Sequence, residues 1–224
     1  MSYSLSYEAP VKTDFGAKTW QLFLLILIVN LVVSWCFNEI VFTREVYYNI
    51  LSERLDAGRI DEYFDFSRKL TVWGYIAQPL LFGLQLMFFA LLLQTPLLLM
   101  LLDIPFSRLF RIVMVSSLAT TAFSVAKLLY LSFHDSTEIT REILDFVPLS
   151  LAAIADLSTL PKTISFLLGK LNFFEVAWCF MLGKGLFETG KISQAKAISV
   201  VFSFWIALLL FQLGVVLYFE GITS

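Results

Sequence analysis

The sequence predicts an all-α integral membrane protein, a bundle of five transmembrane helices with short amphipathic helices on its extracytoplasmic side. Three observations predict it: long apolar stretches divided by short charged loops, a composition outside soluble usage, and Lys and Arg gathered on alternate loops. Hydrophobic residues make up 58% of the 224 and charged residues 15%, whereas roughly a quarter of residues in soluble domains are charged. Mean hydropathy is +0.80. A hydrocarbon core of about 30 Å takes about 20 apolar residues per helix, so residues 1–224 can hold five spans and their loops with little left for a soluble domain, and a single membrane domain is expected. Only helices suit these runs, because lipid offers backbone groups no partner and the alternation of an outer-membrane barrel is missing.

The spans are expected at about 20–38, 72–102, 110–133, 172–189 and 196–219. The first follows a polar segment 1–19 with Lys12 and Lys18, lacks a small-x-small cleavage site and reads as an uncleaved anchor. Loop 39–71 holds Val46, Ile50, Leu51 and Leu55 at helical spacing before Ala57-Gly58 offers a stop. An amphipathic helix is expected there, with Tyr47, Tyr48, Tyr63, Phe64 and Phe66 resting at the outer interface. The second span is long, and Pro79 and Pro96 predict a kink or a strong tilt. Loop 134–171 contains two short pieces, 143–157 with Asp145, Pro148 and Asp156, and 160–170 after Pro161. Both fall below crossing length and are expected to cap the bundle, interfacial or slightly re-entrant. A sixth crossing at 143–157 is the alternative, and it would bring the C-terminus inside.

Charge sets the orientation. With a cytoplasmic N-terminus, the inside segments 1–19, 103–111 and 184–196 carry Lys12, Lys18, Arg108, Arg111, Lys184, Lys191 and Lys196 against four acids. Loop 39–70 has five basic and seven acidic residues, and loop 134–171 has three and five. That is the positive-inside pattern, and five crossings leave the C-terminus outside. A net charge of -2 gives no polybasic character, so nucleic acid is not an expected partner. Cys36 and Cys179 both fall within spans and make no disulfide framework.

Chemical motifs are scarce. His134 stands alone, with no second His or Cys spaced to share a metal. Gly185-x-x-x-x-Gly190-Lys191 begins like a phosphate-binding loop, but Ile192 occupies the place of the magnesium-binding hydroxyl. No His-Glu-x-x-His or Gly-x-Ser-x-Gly is present. Catalytic residues, metal ligands and cofactors are therefore not assigned, and a non-enzyme is expected.

Lys127 and Glu175 are the charges placed well within spans, where isolated charges cost several kcal/mol. Their expected depths differ by only about 4–5 Å, so an ion pair between the third and fourth spans is expected, structural or functional. Lys127 snorkelling to the outer surface is the alternative. Hydroxyls and amides form stripes: Asn30, Ser34 and Asn38 on the first span, Gln78 and Gln85 on the second, Ser117, Thr120 and Ser124 on the third, Ser199 and Ser203 on the fifth. Together with Gly183 and Gly185, such residues suit helix–helix interfaces within the bundle or with a partner's helix.

Two stretches carry a family resemblance. Pro105-Phe106-Ser107-Arg108-Leu109-Phe110-Arg111 resembles the short basic cytoplasmic turn before the third helix of Yip-domain membrane proteins. Asn172, Phe174 and Trp178, followed by Leu182-Gly183-Lys184-Gly185 and by Lys196-Ala197, resemble that family's run of Asn, aromatic, central Trp, Leu-x-x-Gly and a Lys-Ala opening the last helix. The resemblance covers about 104–210, roughly half the chain. It implies a five-helix bundle with a cytoplasmic N-terminus, and in eukaryotic relatives an association with Rab GTPases and early secretory traffic. The short segment before the first span argues against a small-GTPase partner here and favours the bacterial branch, in the bacterial cytoplasmic (inner) membrane, with the endoplasmic reticulum or Golgi as alternative. The function expected is a non-enzymatic scaffold or accessory subunit that binds other integral membrane proteins within the lipid bilayer. The competing class is a small transporter using Lys127 and Glu175.

Overall fold

The computed structural model describes residues 19–155 and 161–223. The expected cytoplasmic segment with Lys12 and Lys18, and Asp156 of the capping piece, lie outside the described residues. Helix makes up 81% of the structure, with no strand among the described residues. The order is α1 (Thr19–Cys36), a π turn (Phe37–Val41), α2 (Arg44–Leu51), α3 (Ala57–Leu99), α4 (Phe106–Ser132), α5 (Arg141–Asp145), a 3-10 turn (Leu151–Ala153), α6 (Lys162–Lys170), α7 (Phe173–Phe187) and α8 (Gln194–Thr223). Four stretches are long and apolar enough to cross a membrane: Thr19–Val41, Ala57–Leu99, Phe106–Ser132 and Gln194–Phe219. α7 has 15 residues, about 22 Å of helix, short of a 30 Å core.

Side-chain contacts fix the helix directions. Asn30 on α1 reaches Thr121 on α4, and Val41 packs with Leu131, so α1 and α4 run parallel. α3 runs the other way, since Arg68 near its start meets Glu39 just after α1. α7 is antiparallel to α4: Phe174 meets Phe123 while Arg108 donates to the Glu188 carbonyl at 3.0 Å. α8 reverses again beyond the 188–193 turn. One end of the bundle therefore gathers Arg108, Arg111, Lys184, Lys191 and Lys196, and Lys191 Nζ bonds the Asp103 carbonyl there. The opposite end gathers α2, α5 and the acid-rich loops, and the first turn of α1 and the last turn of α8 lie at opposite ends of the bundle.

α4 is the central helix. Its most apolar window is 39% buried, against 17% for the others. It packs on α1, α3 and α7, and α7 packs on α8. The core runs through Ile26, Leu86, Leu93, Leu109, Met114, Trp178, Leu182 and Phe204. Trp178 is its aromatic hub, with Phe89 at 6.3 Å and Phe204 at 6.1 Å between ring centroids. A second, smaller cluster of Val41, Val46, Leu131 and Ile139 closes the acidic end.

Three expectations change. Ala57-Gly58 does not stop a helix but opens α3, because Gly58 lies in its first turn after the extended N-cap Asp56 and takes no positive φ. The helical segment before it is only Arg44–Leu51, capped by the Thr43 hydroxyl accepting from the Val46 amide. It lies on the first turns of α3 through Arg44 with Asp61 and Asp65 and through Tyr47 with Ser67, Tyr63 and Phe64. α3 then runs unbroken for 43 residues through Pro79 and Pro96, about 64 Å. Segment 143–157, over its described residues 143–155, is no continuous helix: α5 ends at Asp145, Leu149 takes a φ of 57°, and Ser150 pairs with Asn172 in an isolated bridge. Piece 160–170 does form a helix, α6.

Candidate functional site

The charged site forms where α6 hands over to α7. The Asn172 side chain caps α7 by accepting from the Glu175 amide at 2.9 Å, and its amide group donates to the Gly169 carbonyl. This sharp turn puts Lys170, in the last turn of α6, beside Glu175, in the first turn of α7. Both charges suit their helix ends, a cation at a C-terminus and an anion at an N-terminus. Lys170 Nζ stands 4.0 Å from Glu175 Oε1, and Trp205 on α8 donates its indole N–H to Glu175 Oε2 at 3.3 Å.

Glu175 therefore pairs with Lys170, and the expected Lys127–Glu175 ion pair does not form. The reason is helix phase. Phe174 faces α4, stacking edge-on with Phe123 at 5.5 Å, and the next residue lies about 100° round the helix, turned towards α8. Lys127 is a turn beyond Phe123 and half-buried. Lys170, at the end of the capping piece 160–170, and Trp205, within the expected span 196–219, are the partners that sequence reasoning missed. Nothing in the local pattern marks either, because the contacts span the 171–172 turn and 30 residues of chain.

The polar stripes frame two spaces. A groove of about 370 Å³ between α1 and α3 is lined by Asn30, Ser34, Asn38, Tyr75, Gln78 and Gln85, among others. A central cavity of about 330 Å³ is lined by Asn30, Gln85, Ser117, Thr120, Ser124, Gln212 and the Lys170–Glu175–Trp205 cluster, with Trp178 in its wall. Asn30, Phe82 and Gln85 border both. The hydroxyls on α4 do not bridge helices as expected: Ser117, Thr120 and Ser124 donate to the carbonyls of Met114, Ser117 and Thr120 on their own helix. In that position they offer the cavity oxygen lone pairs. Asn30 does bridge, donating to Thr121 Oγ1 at 2.9 Å and to the Ile26 carbonyl. Asn38 donates to the Ser34 carbonyl and accepts from Thr71 on α3 at 3.4 Å. The Tyr75 hydroxyl is buried without a hydrogen-bond partner. Ser199 and Ser203 face outward on α8.

The two glycines differ. A Cβ on Gly185 would lie 2.6 Å from Ile112 Cγ2, so α4 and α7 meet there as expected, whereas one on Gly183 would meet only Ile198 Cγ1 at 4.0 Å. Gly190 takes a φ of 72° and ends the turn after α7, so the apparent phosphate-loop glycines serve packing and chain reversal. Phe106 stacks on Phe110 at the start of α4, and Lys196 is exposed in the first turn of α8. Among the described residues no group of three or more His, Cys, Asp and Glu side chains could hold a metal. His134 Nδ1 lies 3.0 Å from the Tyr130 carbonyl.

What the arrangement offers chemically is recognition: a balanced charge pair, amides, hydroxyls and aromatic faces inside a helix bundle, open on one side through a polar groove. The chain matches no family model, no curated protein and no solved structure.

Proposed function

We propose that this chain is a non-enzymatic multi-pass membrane scaffold or accessory subunit that takes a transmembrane helix of another integral membrane protein into the groove between α1 and α3. The observation that carries the reading is the groove's polar floor. Gln78 and Gln85 line this space beside the buried, unpartnered Tyr75 hydroxyl, and an unsatisfied polar group in lipid costs several kcal/mol. A partner helix with small and polar residues satisfies them, and Gly74, with nothing within 4 Å of its Cβ position, gives its backbone room to approach. In this reading the four long apolar helices and the shorter α7 make five passes. The basic end, with Arg108, Arg111, Lys184, Lys191 and Lys196, faces the cytoplasm of a bacterial inner membrane. The Phe106–Arg111 and Asn172–Lys196 stretches support placing the chain with the bacterial Yip-domain proteins.

The test is a photo-crosslinking residue at Gly74 or Gln78, activated in native membranes and followed by mass spectrometry. A crosslink to one integral membrane protein in stoichiometric yield is the expected result. Crosslinks to lipid alone at both positions would overturn the reading. A second reading, a small transporter, is favoured by one observation, the Lys170–Glu175 pair in the central cavity. It takes Lys170 in place of Lys127, and it predicts solute flux in proteoliposomes that Glu175→Gln abolishes.

A further inference from the structure

The central cavity brings together opposite charges, Lys170 and Glu175, whose side chains are 31% and 28% exposed. Trp205, which binds Glu175, lies about 16 Å along α8 from Gln194, a depth within a hydrocarbon core of about 30 Å. The cavity is nearly electroneutral, so a ligand of net charge would leave an uncompensated charge in a medium of low dielectric. A zwitterion would not.

Lys170 and Glu175 are also incompletely used by each other. Their 4.0 Å separation is well beyond the roughly 2.7–2.9 Å of a charge-assisted hydrogen bond. An ammonium has three donors and a carboxylate about four acceptor sites, of which Trp205 takes one. The pair is therefore spaced to admit a second pair of opposite charges, antiparallel to itself. The Thr120 and Ser124 hydroxyls in the wall add polar contacts.

Access comes from the bilayer. The cavity shares Asn30, Phe82 and Gln85 with the lipid-facing α1–α3 groove, so the two spaces adjoin. Its volume of about 330 Å³ lies at the low end for ligand pockets, which suits a headgroup whose acyl chains remain in the surrounding lipid. We propose that the central cavity binds the zwitterionic headgroup of an ethanolamine phospholipid, its primary ammonium on Glu175 and its phosphate on Lys170. The primary ammonium is specified because Glu175 needs an N–H donor, which a choline headgroup lacks. This inference does not depend on the scaffold reading.

The test titrates the purified full-length protein in detergent with short-chain phosphatidylethanolamine, phosphatidylcholine and phosphatidylglycerol, and with soluble phosphoethanolamine. Tryptophan fluorescence reads binding, and native mass spectrometry counts bound lipid. The expected result is binding of the ethanolamine lipid about tenfold or more tighter than the other two, with Glu175→Gln and Lys170→Gln each weakening it about tenfold, as befits a charged hydrogen bond. Ser124→Leu fills the cavity without touching either charge, and should remove binding while the protein still elutes as a folded species. Equal affinity for choline and ethanolamine lipids would overturn the assignment to Glu175. Equal affinity for soluble phosphoethanolamine would overturn the lipid source, and binding unchanged in Ser124→Leu would place the ligand elsewhere.

Discussion

Replacing Gly185 by Ala tests how closely α4 and α7 approach, and Gly183 supplies the internal control. The new methyl at 185 would lie 2.6 Å from Ile112 Cγ2 and 3.1 Å from its Cγ1, well inside the roughly 3.5–4.0 Å of a favourable carbon contact. Ile112 has little freedom to yield, because a β-branched side chain in a helix is held to one χ1 rotamer. Overpacking of this kind costs about 1–3 kcal/mol. At Gly183 the nearest atom would be 4.0 Å away, an ordinary contact. Both substitutions gain the same helix propensity, about 1 kcal/mol in water, so the difference between them isolates the steric cost. Thermal unfolding in detergent should place Gly185→Ala below Gly183→Ala by about 2–4 °C for each kcal/mol. Ile112→Ala should restore most of the loss in a double-mutant cycle. Ile112→Val should not, because valine keeps both γ-carbons. Equal melting temperatures for the two alanine variants, or equal rescue by Val and Ala, would refute the close approach.

Trp178→Ala should cost about 3–5 kcal/mol, because the ring is 6% exposed and sits between Phe89 and Phe204; retention of folded protein on size exclusion at wild-type yield would contradict its place as hub. Thr121→Val removes the α1–α4 hydrogen bond from Asn30 and should lower stability by about 1 kcal/mol or less, read as a small shift in melting temperature. Arg68→Gln breaks a pair with Glu39 whose side chains are 39% and 43% exposed, so the shift in melting temperature should be small and shrink further with added salt. In a background free of Cys36 and Cys179, an impermeant maleimide should label Ser136→Cys in intact cells and Lys191→Cys only after permeabilisation; the opposite pattern would invert the proposed orientation.

Hydropathy alone located the apolar helices, because lipid-length runs have no other way to satisfy their backbones. Charge alone picked out the end of the bundle where Arg108, Arg111, Lys184 and Lys191 gather, since those residues sit in turns that the spans themselves position. Composition at 183–185 marked a close helix contact, and at Gly185 the contact is there. The partner of Glu175 was decided elsewhere. Depth along a helix is readable from residue count, but azimuth depends on how α7 rotates against α4 and α8, and that rotation is fixed by Phe174 on Phe123 and by Trp178 between two rings. The same holds for the stripes of Asn, Gln, Ser and Thr. Sequence placed them on common faces, while only packing decided that those faces would border open space, because a helix as short as α7 leaves α4 and α8 uncovered beyond it. The length of α3 was also beyond local reading, since a glycine stops a helix only where the chain can turn to positive φ, and here the contacts of α2 on its first turns keep it helical from Ala57.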